Sequence, residues 1–299
     1  MRISYQTVKA HHASEVSRYM QQQQGFTLIE LMISLILGLL IAAAAFQVFY
    51  ISQRTSTTQS SASEVQDSAV FGIQAVEYDI RLANLKAASH ELNKKTGNGG
   101  IILTVDNAPT ALQAASYASS YTKQGVDEGY YSTNADQLTI QFVAPQNMSD
   151  CEGANVTAGD RIVQRYFLKS TGTTEKPSYA LACDAYHPND LAFGTGTSTP
   201  DSGEVIVPNV EQFRVMLLTE NGYRTINGYN ALPGDGELIY GVKLGLVLAG
   251  DTPTIQAQNN TPTLFGENLA KRNGLTKVNT VRRIYEPTIL LRNARYESL

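Results

Sequence analysis

The sequence contains no tryptophan, only two cysteines and four histidines, and no proline before Pro109. His11 and His12 lie near the N-terminus, which leaves His90 and His187 as the histidines available to a catalytic centre further along the chain. A Gly-x-Ser-x-Gly nucleophile motif, a phosphate-binding glycine loop and a His-Glu-x-x-His zinc motif are all missing. The sequence therefore indicates a protein without enzymatic activity.

An excess of positive charge is missing as well. The chain has 23 Lys and Arg against 27 Asp and Glu, a formal net charge of −4, whereas a general nucleic-acid-binding surface is basic. Adjacent basic residues occur at Lys94-Lys95, Lys271-Arg272 and Arg282-Arg283. We interpret them as solvated surface pairs and expect no direct contact with nucleic acid.

The two cysteines, Cys151 and Cys183, both follow an N-terminal apolar segment. In an exported chain an isolated pair usually forms a disulfide, so we predict a Cys151–Cys183 bridge. Free thiols and metal ligation are the alternatives, although no histidine or further cysteine lies at zinc-ligand spacing. The Asp235-Gly236-Glu237 sequence lacks EF-hand spacing and is interpreted as a turn, so no metal or other cofactor is expected.

The strongest feature that the sequence does contain is an apolar run near the N-terminus. Gly25-Phe26-Thr27-Leu28-Ile29-Glu30 opens a run that ends near Ile51, with neither charge nor proline over 31–46. As a helix, 26–51 would rise about 39 Å, enough to cross a bilayer. Glu30 is the exception, and a carboxylate inside a membrane segment indicates a functional site that needs a partner. An α-amine at Phe26 would be that partner, and cleavage between Gly25 and Phe26 would create it.

The segment before the apolar run predicts the orientation of the chain. Residues 1–25 carry Arg2, Lys9 and Arg18 against Glu15, and positive residues ahead of an apolar span keep that end in the cytoplasm. The remainder is then expected on the periplasmic side. Two alternatives stay open: an uncut signal anchor with an incidental glutamate, and signal-peptidase cleavage near the alanines of 42–45.

The helix is predicted to continue beyond the membrane. Apolar residues recur at helical spacing over 63–83, with polar and charged residues, Asp79 among them, around the stripe. The stripe comprises Val65, Ala69, Ile73, Val76, Ile80 and Ala83. We predict one helix from residue 26 to about residue 88, apolar over 26–51 and amphipathic over 52–90. The Asn-, Lys- and Gly-rich segment 93–100 predicts its end.

The rest of the chain, 91–299, is predicted to form a β-rich head. The expected strands are 101–105, 137–143, 161–169, 178–183, 204–207, 212–218, 238–249 and 281–293, the last split by Pro287. Turns are expected at Asn221-Gly222 and Asn227-Gly228, loops at 194–203 and 251–279, and a hairpin of 161–169 with 178–183 stapled at its base by the disulfide. Strands that follow one N-terminal helix predict an α+β fold, with the helix packed on a mainly antiparallel sheet.

Motifs at both ends of the chain resemble a known family. Gly25-Phe26-Thr27-Leu28-Ile29-Glu30-Leu31, with a positive leader before it and an apolar helix after it, resembles the class III signal of type IV prepilins. Within that superfamily, four C-terminal segments resemble the PilW minor pilins. They are Val207-Pro208-Asn209-Val210-Glu211-Gln212-Phe213, the strand 241–248, Arg282-Arg283-Ile284-Tyr285 and Thr288-Ile289-Leu290-Leu291-Arg292-Asn293.

The resemblance implies a defined processing step. A prepilin peptidase would cleave after Gly25 and N-methylate Phe26, and Glu30, together with Phe26 and Thr27, would serve filament assembly. The subunit would first span the inner membrane once, with a periplasmic head, and then join the pilus, at its tip.

The resemblance also implies a role and partners. The expected role is a minor pilin that helps to initiate or cap a type IV pilus, the fibre of twitching, adhesion and DNA uptake. Its partners would be the peptidase, other minor pilins and the major pilin, and a tip adhesin is a further partner that the resemblance allows. Two alternatives remain: a J-type minor pseudopilin of type II secretion, and a membrane-anchored periplasmic binding protein that builds no filament.

Overall fold

A computed structural model describes residues 25–127, 129–173, 177–187, 203–250, 261–273 and 280–294. The predicted leader up to residue 24 lies outside the described residues, as do most of the loops predicted at 194–203 and 251–279. The chain divides into two units, Met1–Ser52 and Gln53–Leu299.

Helix α1, Leu28–Leu82, crosses the boundary between the units. In the first unit its large apolar side chains are exposed, from Leu28 at 78% to Tyr50 at 47%. In the second unit the predicted stripe is buried in the main hydrophobic core, which confirms the helical spacing found in the sequence. The buried residues are Val65, Ala69, Ile73, Val76, Ile80 and Ala83.

The helix ends six residues earlier than predicted, at Leu82 instead of about residue 88. Asn84 adopts a left-handed backbone conformation (φ 67°), and its N–H donates to the carbonyl oxygen of Gln141 at 3.1 Å instead of continuing the helix. The Asn293 side chain donates to the carbonyls of Arg81, Leu82 and Ala83 at 3.1–3.3 Å. The end of α1 is therefore set by a residue close to the C-terminus.

Gly100 packs against this end of the helix. The segment 93–100, which was predicted to terminate the helix, lies beyond the residue where α1 ends. A Cβ atom at Gly100 would lie 2.2 Å from the backbone nitrogen of Asn84, so only glycine permits the contact. The Gly100 N–H donates to the Asn84 side-chain oxygen at 2.9 Å. The segment therefore stabilises the end of α1 through a contact with Asn84, without being part of the helix.

The described residues of the head form two five-stranded sheets and two short ribbons, and all pairings between their strands are antiparallel. The first sheet has the order β1-β2-β5-β6-β7, and its strands are β1 Lys123–Asp127, β2 Ala135–Val143, β5 Arg161–Ser170, β6 Tyr179–Tyr186 and β7 Glu204–Val207. The second has the order β13-β10-β8-β9 with β14 also on β10, and its strands are β8 Val210–Thr219, β9 Gly222–Thr225, β10 Ile239–Ala249, β13 Arg282–Tyr285 and β14 Thr288–Leu290. The ribbons pair β3 Met148–Ser149 with β4 Asn155–Val156, and β11 Thr263–Leu264 with β12 Glu267–Asn268.

One hydrophobic cluster joins the second half of α1 to the inner faces of both sheets. The predicted α+β class, with a helix on antiparallel sheet, is therefore confirmed. The predicted interruption at Pro287 is also found, since β13 and β14 pair with β10 on either side of it.

Two local predictions were wrong. Residues 101–105 form no strand, because Ile101 makes only an isolated bridge to Ile140. Asn227-Gly228 lies in a short helix, α2 Ile226–Asn230, instead of the predicted turn. The side chain of Thr225 caps this helix by accepting the Gly228 N–H at 3.1 Å.

The outer face of the first sheet is covered by residues 99–122, which include 3₁₀ turns at Thr110–Leu112 and Ala115–Ser120. Gln137 and Gln141 of β2, although polar, are buried and donate to backbone carbonyls of this segment at 2.7–2.9 Å. Thr139, between them, likewise bonds the Ser120 carbonyl. Sheet and cover are thus joined by satisfied hydrogen bonds over a second apolar cluster.

Helix α1 lies close against strand β7 at Gly72. A Cβ atom at that position would lie 2.3 Å from the Val207 Cγ2 atom and 3.0 Å from the Ile206 carbonyl oxygen. Glycine costs about 1 kcal/mol in a helix interior, so its presence here is explained by this contact.

We expect Gly72→Val to destabilise the head by about 1–3 kcal/mol, because the added side chain must push the helix away from β7. Urea unfolding of the full chain in detergent measures the change. Gly97→Val is the matched control, since a Cβ at Gly97 meets no atom within 4 Å. Equal stability of the two variants would contradict the packing argument.

A buried ion pair joins two strands of the second sheet, one on each side of β10. Arg282 of β13 donates to both carboxylate oxygens of Glu211 in β8 at 2.7 and 2.8 Å, with side-chain exposures of 16% and 11%. The Tyr131 hydroxyl donates to the same carboxylate at 2.8 Å, and burial raises the pKa of this phenol. The Glu211 carboxylate thus accepts hydrogen bonds from two side chains, Arg282 and Tyr131.

Glu211→Leu is expected to destabilise the head by about 3–5 kcal/mol, because it leaves the Arg282 guanidinium buried without its carboxylate. The double variant Glu211→Leu/Arg282→Met removes both charges and should recover most of that loss. Chemical unfolding of the two variants makes the comparison. A double variant as unstable as the single one would show that the ion pair is not the cause.

Candidate processing and assembly site

Gly25 and Phe26 precede α1 and are exposed, Phe26 by 79%. A Cβ atom built on Gly25 meets no atom within 4 Å, and its backbone is not left-handed. The fold therefore places no requirement for glycine at this position. A requirement for glycine here would have to come from another molecule, such as a processing enzyme.

Thr27 is the N-cap of α1. Its hydroxyl oxygen accepts the Glu30 N–H at 3.2 Å, and its carbonyl accepts the Leu31 N–H at 3.1 Å. Thr27 and Glu30 have the spacing of a capping box, in which the glutamate stabilises the first turn. This gives Thr27 a local structural role beside the assembly role predicted for it, and the Thr-x-x-Glu spacing was the sequence signal for it.

The Glu30 carboxylate makes no ion pair within the described ranges. It lies in the first turn of α1, where the helix dipole favours negative charge and disfavours an ammonium group. A new α-amine at Phe26, one residue before the N-cap, would therefore need a carboxylate nearby. Glu30 of the same chain or of a neighbour is suitably placed along the helix to supply it.

Among the described residues, α1 is the helix long and apolar enough to cross a membrane. Its large apolar side chains from Leu28 to Ile51 are about half exposed or more. An apolar surface of this size requires lipid or other apolar helices around it. The helix therefore suggests membrane anchoring.

Comparison with known proteins bears directly on this segment. Residues 20–46 match a family model described as the prokaryotic N-terminal methylation motif. The chain carries that methylation motif. Together with the α+β architecture, the motif supports a place in the type IV pilin superfamily.

The remaining comparisons are more distant. No curated protein sequence matches the chain. A type IV-like pilin, TTHA1219 from Thermus thermophilus, is a solved structure that it resembles with 13% sequence identity and a TM-score of 0.38. The likeness covers 79% of this chain and 97% of that one, and a TM-score this low supports no argument about function.

The structure contains the predicted disulfide, which lies far along the chain from the methylation motif. Cys151 and Cys183 are bonded, with their Cα atoms 6.1 Å apart. The predicted β5–β6 hairpin is also present, but the bridge does not staple its base. Cys183 lies within β6 opposite Tyr166, and Cys151 lies between β3 and β4, so the bond fastens the β3–β4 ribbon to the first sheet.

A polar cluster that the sequence did not reveal lies beside this disulfide. Asp79 of α1, which the helical pattern placed among the polar residues, is buried, with 9% of its surface exposed. Its carboxylate accepts a hydrogen bond from the Tyr166 hydroxyl at 2.8 Å. Because that hydroxyl hydrogen goes to Asp79, the Gln164 amide must donate to Tyr166 (3.0 Å), and its oxygen then accepts the Cys151 N–H at 3.0 Å. Hydrogen bonds thus connect α1 to the disulfide.

The pKa of Asp79 is raised to about 6, chiefly by burial; the Tyr166 hydrogen bond opposes the rise, and the nearby Asp150 carboxylate adds to it. The folded chain therefore binds this proton more tightly than the unfolded chain. The resulting loss of stability is absent below the unfolded pKa of 3.8, develops as pH rises to about 6, and is constant above that.

Asp79→Asn is expected to stabilise the head by about 2–3 kcal/mol at pH 7.5 and by almost nothing near pH 4. Thermal unfolding at the two pH values tests this. Asp67→Asn, which neutralises an exposed carboxylate on the same helix, is the control and should change neither value much. A destabilised Asp79→Asn chain at pH 7.5 would contradict the argument.

At least one member of each basic pair, and the Asp235-Gly236-Glu237 turn, makes contacts within the head, and the interpretation as solvated surface pairs was wrong for Arg282, whose side chain is 16% exposed. Lys95 pairs with Asp235 at 3.3 Å, and Arg282 pairs with Glu211. The Glu237 carboxylate accepts from Arg224, Thr219 and Asn221, and these hydrogen bonds, led by Arg224, lower its pKa to about 2. Within the described ranges, no group of three His, Cys, Asp or Glu side chains is arranged to hold a metal ion.

Proposed function

We propose that this protein is a minor pilin of the PilW type that helps to initiate assembly of a type IV pilus. A prepilin peptidase cleaves it after Gly25 and methylates the new N-terminal amine of Phe26. Glu30 then pairs with the terminal amine of a neighbouring subunit. The other minor pilins and the major pilin are its partners, and the filament tip is its place.

One observation carries the proposal. Glu30 is a carboxylate that makes no ion pair with another described residue, and it lies in the first turn of a helix whose large apolar side chains over 28–51 are about half exposed or more. A carboxylate within an apolar segment that suggests membrane anchoring is costly unless it is paired, so the charge indicates a cationic partner. An amine made by cleavage at Gly25 is such a cation, and the methylation motif matches the same residues.

The pairing also gives assembly a means of selecting register. In an apolar bundle, a subunit docked out of register leaves one charge buried and unpaired, which costs about 3–5 kcal/mol. Only a subunit in register satisfies both the amine and the carboxylate. Before assembly the same helix holds the subunit in the inner membrane, with the head in the periplasm.

Mass spectrometry of the mature chain from cell envelopes and sheared fibres tests the proposal. The expected N-terminal peptide begins with N-methylated Phe26. A chain that begins at Met1 would indicate a signal anchor, and a chain that begins just after 42–45 would indicate a secreted protein. Recovery of methylated chain from envelopes, with none in fibres, would favour the type II secretion pseudopilin instead.

A further inference from the structure

Two basic pairs that are separate in the sequence meet in the fold. Lys271-Arg272 follows the β11–β12 ribbon, and Arg282-Arg283 opens β13. Both pairs contact the ring of Tyr130, whose centroid lies 5.8 Å from the Lys271 Nζ atom and 5.4 Å from the Arg282 Cζ atom. The Arg272 N–H also donates to the Tyr130 carbonyl at 3.2 Å. We call Lys271, Arg272, Arg282 and Arg283 the basic patch.

The basic patch carries more positive charge than the described residues around it neutralise. Glu211 balances Arg282, whereas Lys271 and Arg283 make no ion pair with another described residue. Arg283 is exposed and Lys271 is half-buried, so both ammonium and guanidinium groups are accessible from solvent. In a chain of net charge −4, this surface is a local exception.

The basic patch lies beside the start of the buried part of α1. A Cβ atom at Gly250 would lie 2.1 Å from the Ser61 Oγ atom, so the end of β10 packs against Ser61. The Gly250 N–H donates to the Val281 carbonyl at 2.8 Å, and Arg282 lies opposite Ala249 in the sheet. The first residues of β13 therefore lie near residue 61 of α1, at the end of the head nearest in sequence to the apolar half of the helix.

The sequence length of α1 limits how far this end of the head is from a bilayer. Ser61 follows Ile51, where the apolar run ends, by ten residues, which rise about 15 Å in a helix. Lipid headgroups occupy about 5–8 Å beyond the hydrocarbon core. The remaining distance of about 7–10 Å is close to one Debye length at physiological salt. Charges at this level of the head therefore interact with charged lipid headgroups.

We infer that the basic patch docks the head on the anionic phospholipid headgroups of the membrane that anchors the subunit before assembly. The inference rests on the membrane-anchored stage of the proposed function. Phosphate oxygens accept charge-assisted hydrogen bonds from guanidinium and ammonium groups. Because the anchor holds the patch beside the headgroups, docking is an intramolecular event, and a few cations are enough to favour it.

The number of charges makes this docking reversible. Each Lys or Arg beside an anionic surface favours docking about fivefold, so Lys271 and Arg283 together favour it about 25-fold. Glu64 and Asp67 of α1 are exposed within two turns of Ser61 and oppose it. The head is thus held at the lipid surface without being prevented from leaving it when the subunit is assembled.

Tryptophan fluorescence of the full chain in vesicles tests the inference, because the sequence contains no tryptophan. Asn273→Trp places a reporter at an exposed residue beside the basic patch. Val105→Trp is the control, at a 47% exposed residue in the segment that covers the first sheet. The vesicles contain a phosphatidylcholine with a nitroxide quencher on its headgroup, in either phosphatidylcholine or an equal mixture of phosphatidylcholine and phosphatidylglycerol.

The expected result is a quenching of Trp fluorescence that depends on lipid charge. For the Asn273→Trp chain, quenching should be at least threefold stronger with phosphatidylglycerol, and about 0.5 M salt should abolish the difference. For the Val105→Trp chain, quenching should be weak and equal in the two lipids.

Charge variants of the Asn273→Trp chain locate the docking surface. Lys271→Gln/Arg283→Gln should lower the ratio of docked to undocked heads about 25-fold. Lys86→Gln/Lys95→Gln removes the same charge from two exposed residues that follow the end of α1, and should leave the ratio within twofold. The thermal unfolding midpoints of both variants should match that of their parent, because none of the four side chains is buried in the core.

Three outcomes would overturn the inference. They are equal quenching in the two lipids, strong quenching that persists in Lys271→Gln/Arg283→Gln, and an equal loss in Lys86→Gln/Lys95→Gln. Carbonate extraction of envelopes and the N-terminal peptide of the wild-type chain test the anchor separately. If the chain resists extraction and begins with methylated Phe26, only the docking inference fails. If carbonate releases the chain, the proposed function fails and the inference with it.

Discussion

Gly25→Arg is expected to leave the chain full-length and unmethylated, with processing reduced at least a hundredfold. A peptidase must approach the backbone at the cleaved bond closely, and glycine allows this because it has no side chain. Nothing in the fold would resist the substitution, since a Cβ at Gly25 meets no atom within 4 Å. The head should therefore fold normally, with its disulfide intact. Pulse labelling and gel mobility measure the rate of cleavage.

Gln24→Arg is the matched control for this variant. It introduces the same charge one residue earlier and keeps the glycine, so it should be cleaved at close to the wild-type rate. Wild-type processing of Gly25→Arg would remove the cleavage site from the proposal. Equal loss in both variants would assign the defect to charge instead of to the glycine.

Glu30→Ala is expected to be cleaved and methylated but to be at least a hundredfold depleted from sheared fibres. Without the carboxylate, a neighbour's amine would be buried in an apolar bundle without a counter-charge, at a cost of about 3–5 kcal/mol, or roughly two to four orders of magnitude in occupancy. Immunoblots of envelope and fibre fractions measure the ratio. Because Glu30 lies outside the head's core, the stability of the head should not change.

Glu30→Gln separates pairing from helix capping. Glutamine also serves in a capping box with Thr27, but it carries no charge. If ion pairing matters, Glu30→Gln should fail to assemble as completely as Glu30→Ala. If it assembles like the wild type, Glu30 acts through the helix end, and the ion-pair argument is wrong. Glu64→Ala, which removes an exposed carboxylate further along α1, should have little effect.

Local patterns in the sequence were enough to predict several features of the fold. The spacing of Val65, Ala69 and Ile73 predicted the buried face of α1, because a helix repeats every 3.6 residues wherever it packs. The alternation of Leu138, Ile140 and Phe142 predicted β2, because every second side chain of a strand points to the same face of the sheet.

Other features had no local signal. Gln137 and Gln141 have the polar character of a solvent-facing strand face, yet residues 99–122 bury them and supply the carbonyls that they need. Asp79 was assigned to the polar side of the helix, and the fold places it against Tyr166 instead. In each case the hydrogen-bond partner is distant in sequence, so no pattern within one segment could reveal it.

The sequence by itself determined the apolar helix, the residues of the methylation motif and the availability of one cysteine pair, because each depends on composition within a short stretch. Only the tertiary structure decided where α1 ends, since the side chain that caps its last carbonyls belongs to Asn293, 210–212 residues away. It also decided what the disulfide fastens and which face of α1 the head leaves open. These depend on which surfaces meet, and the free energy of such contacts between distant segments is not encoded in any local periodicity.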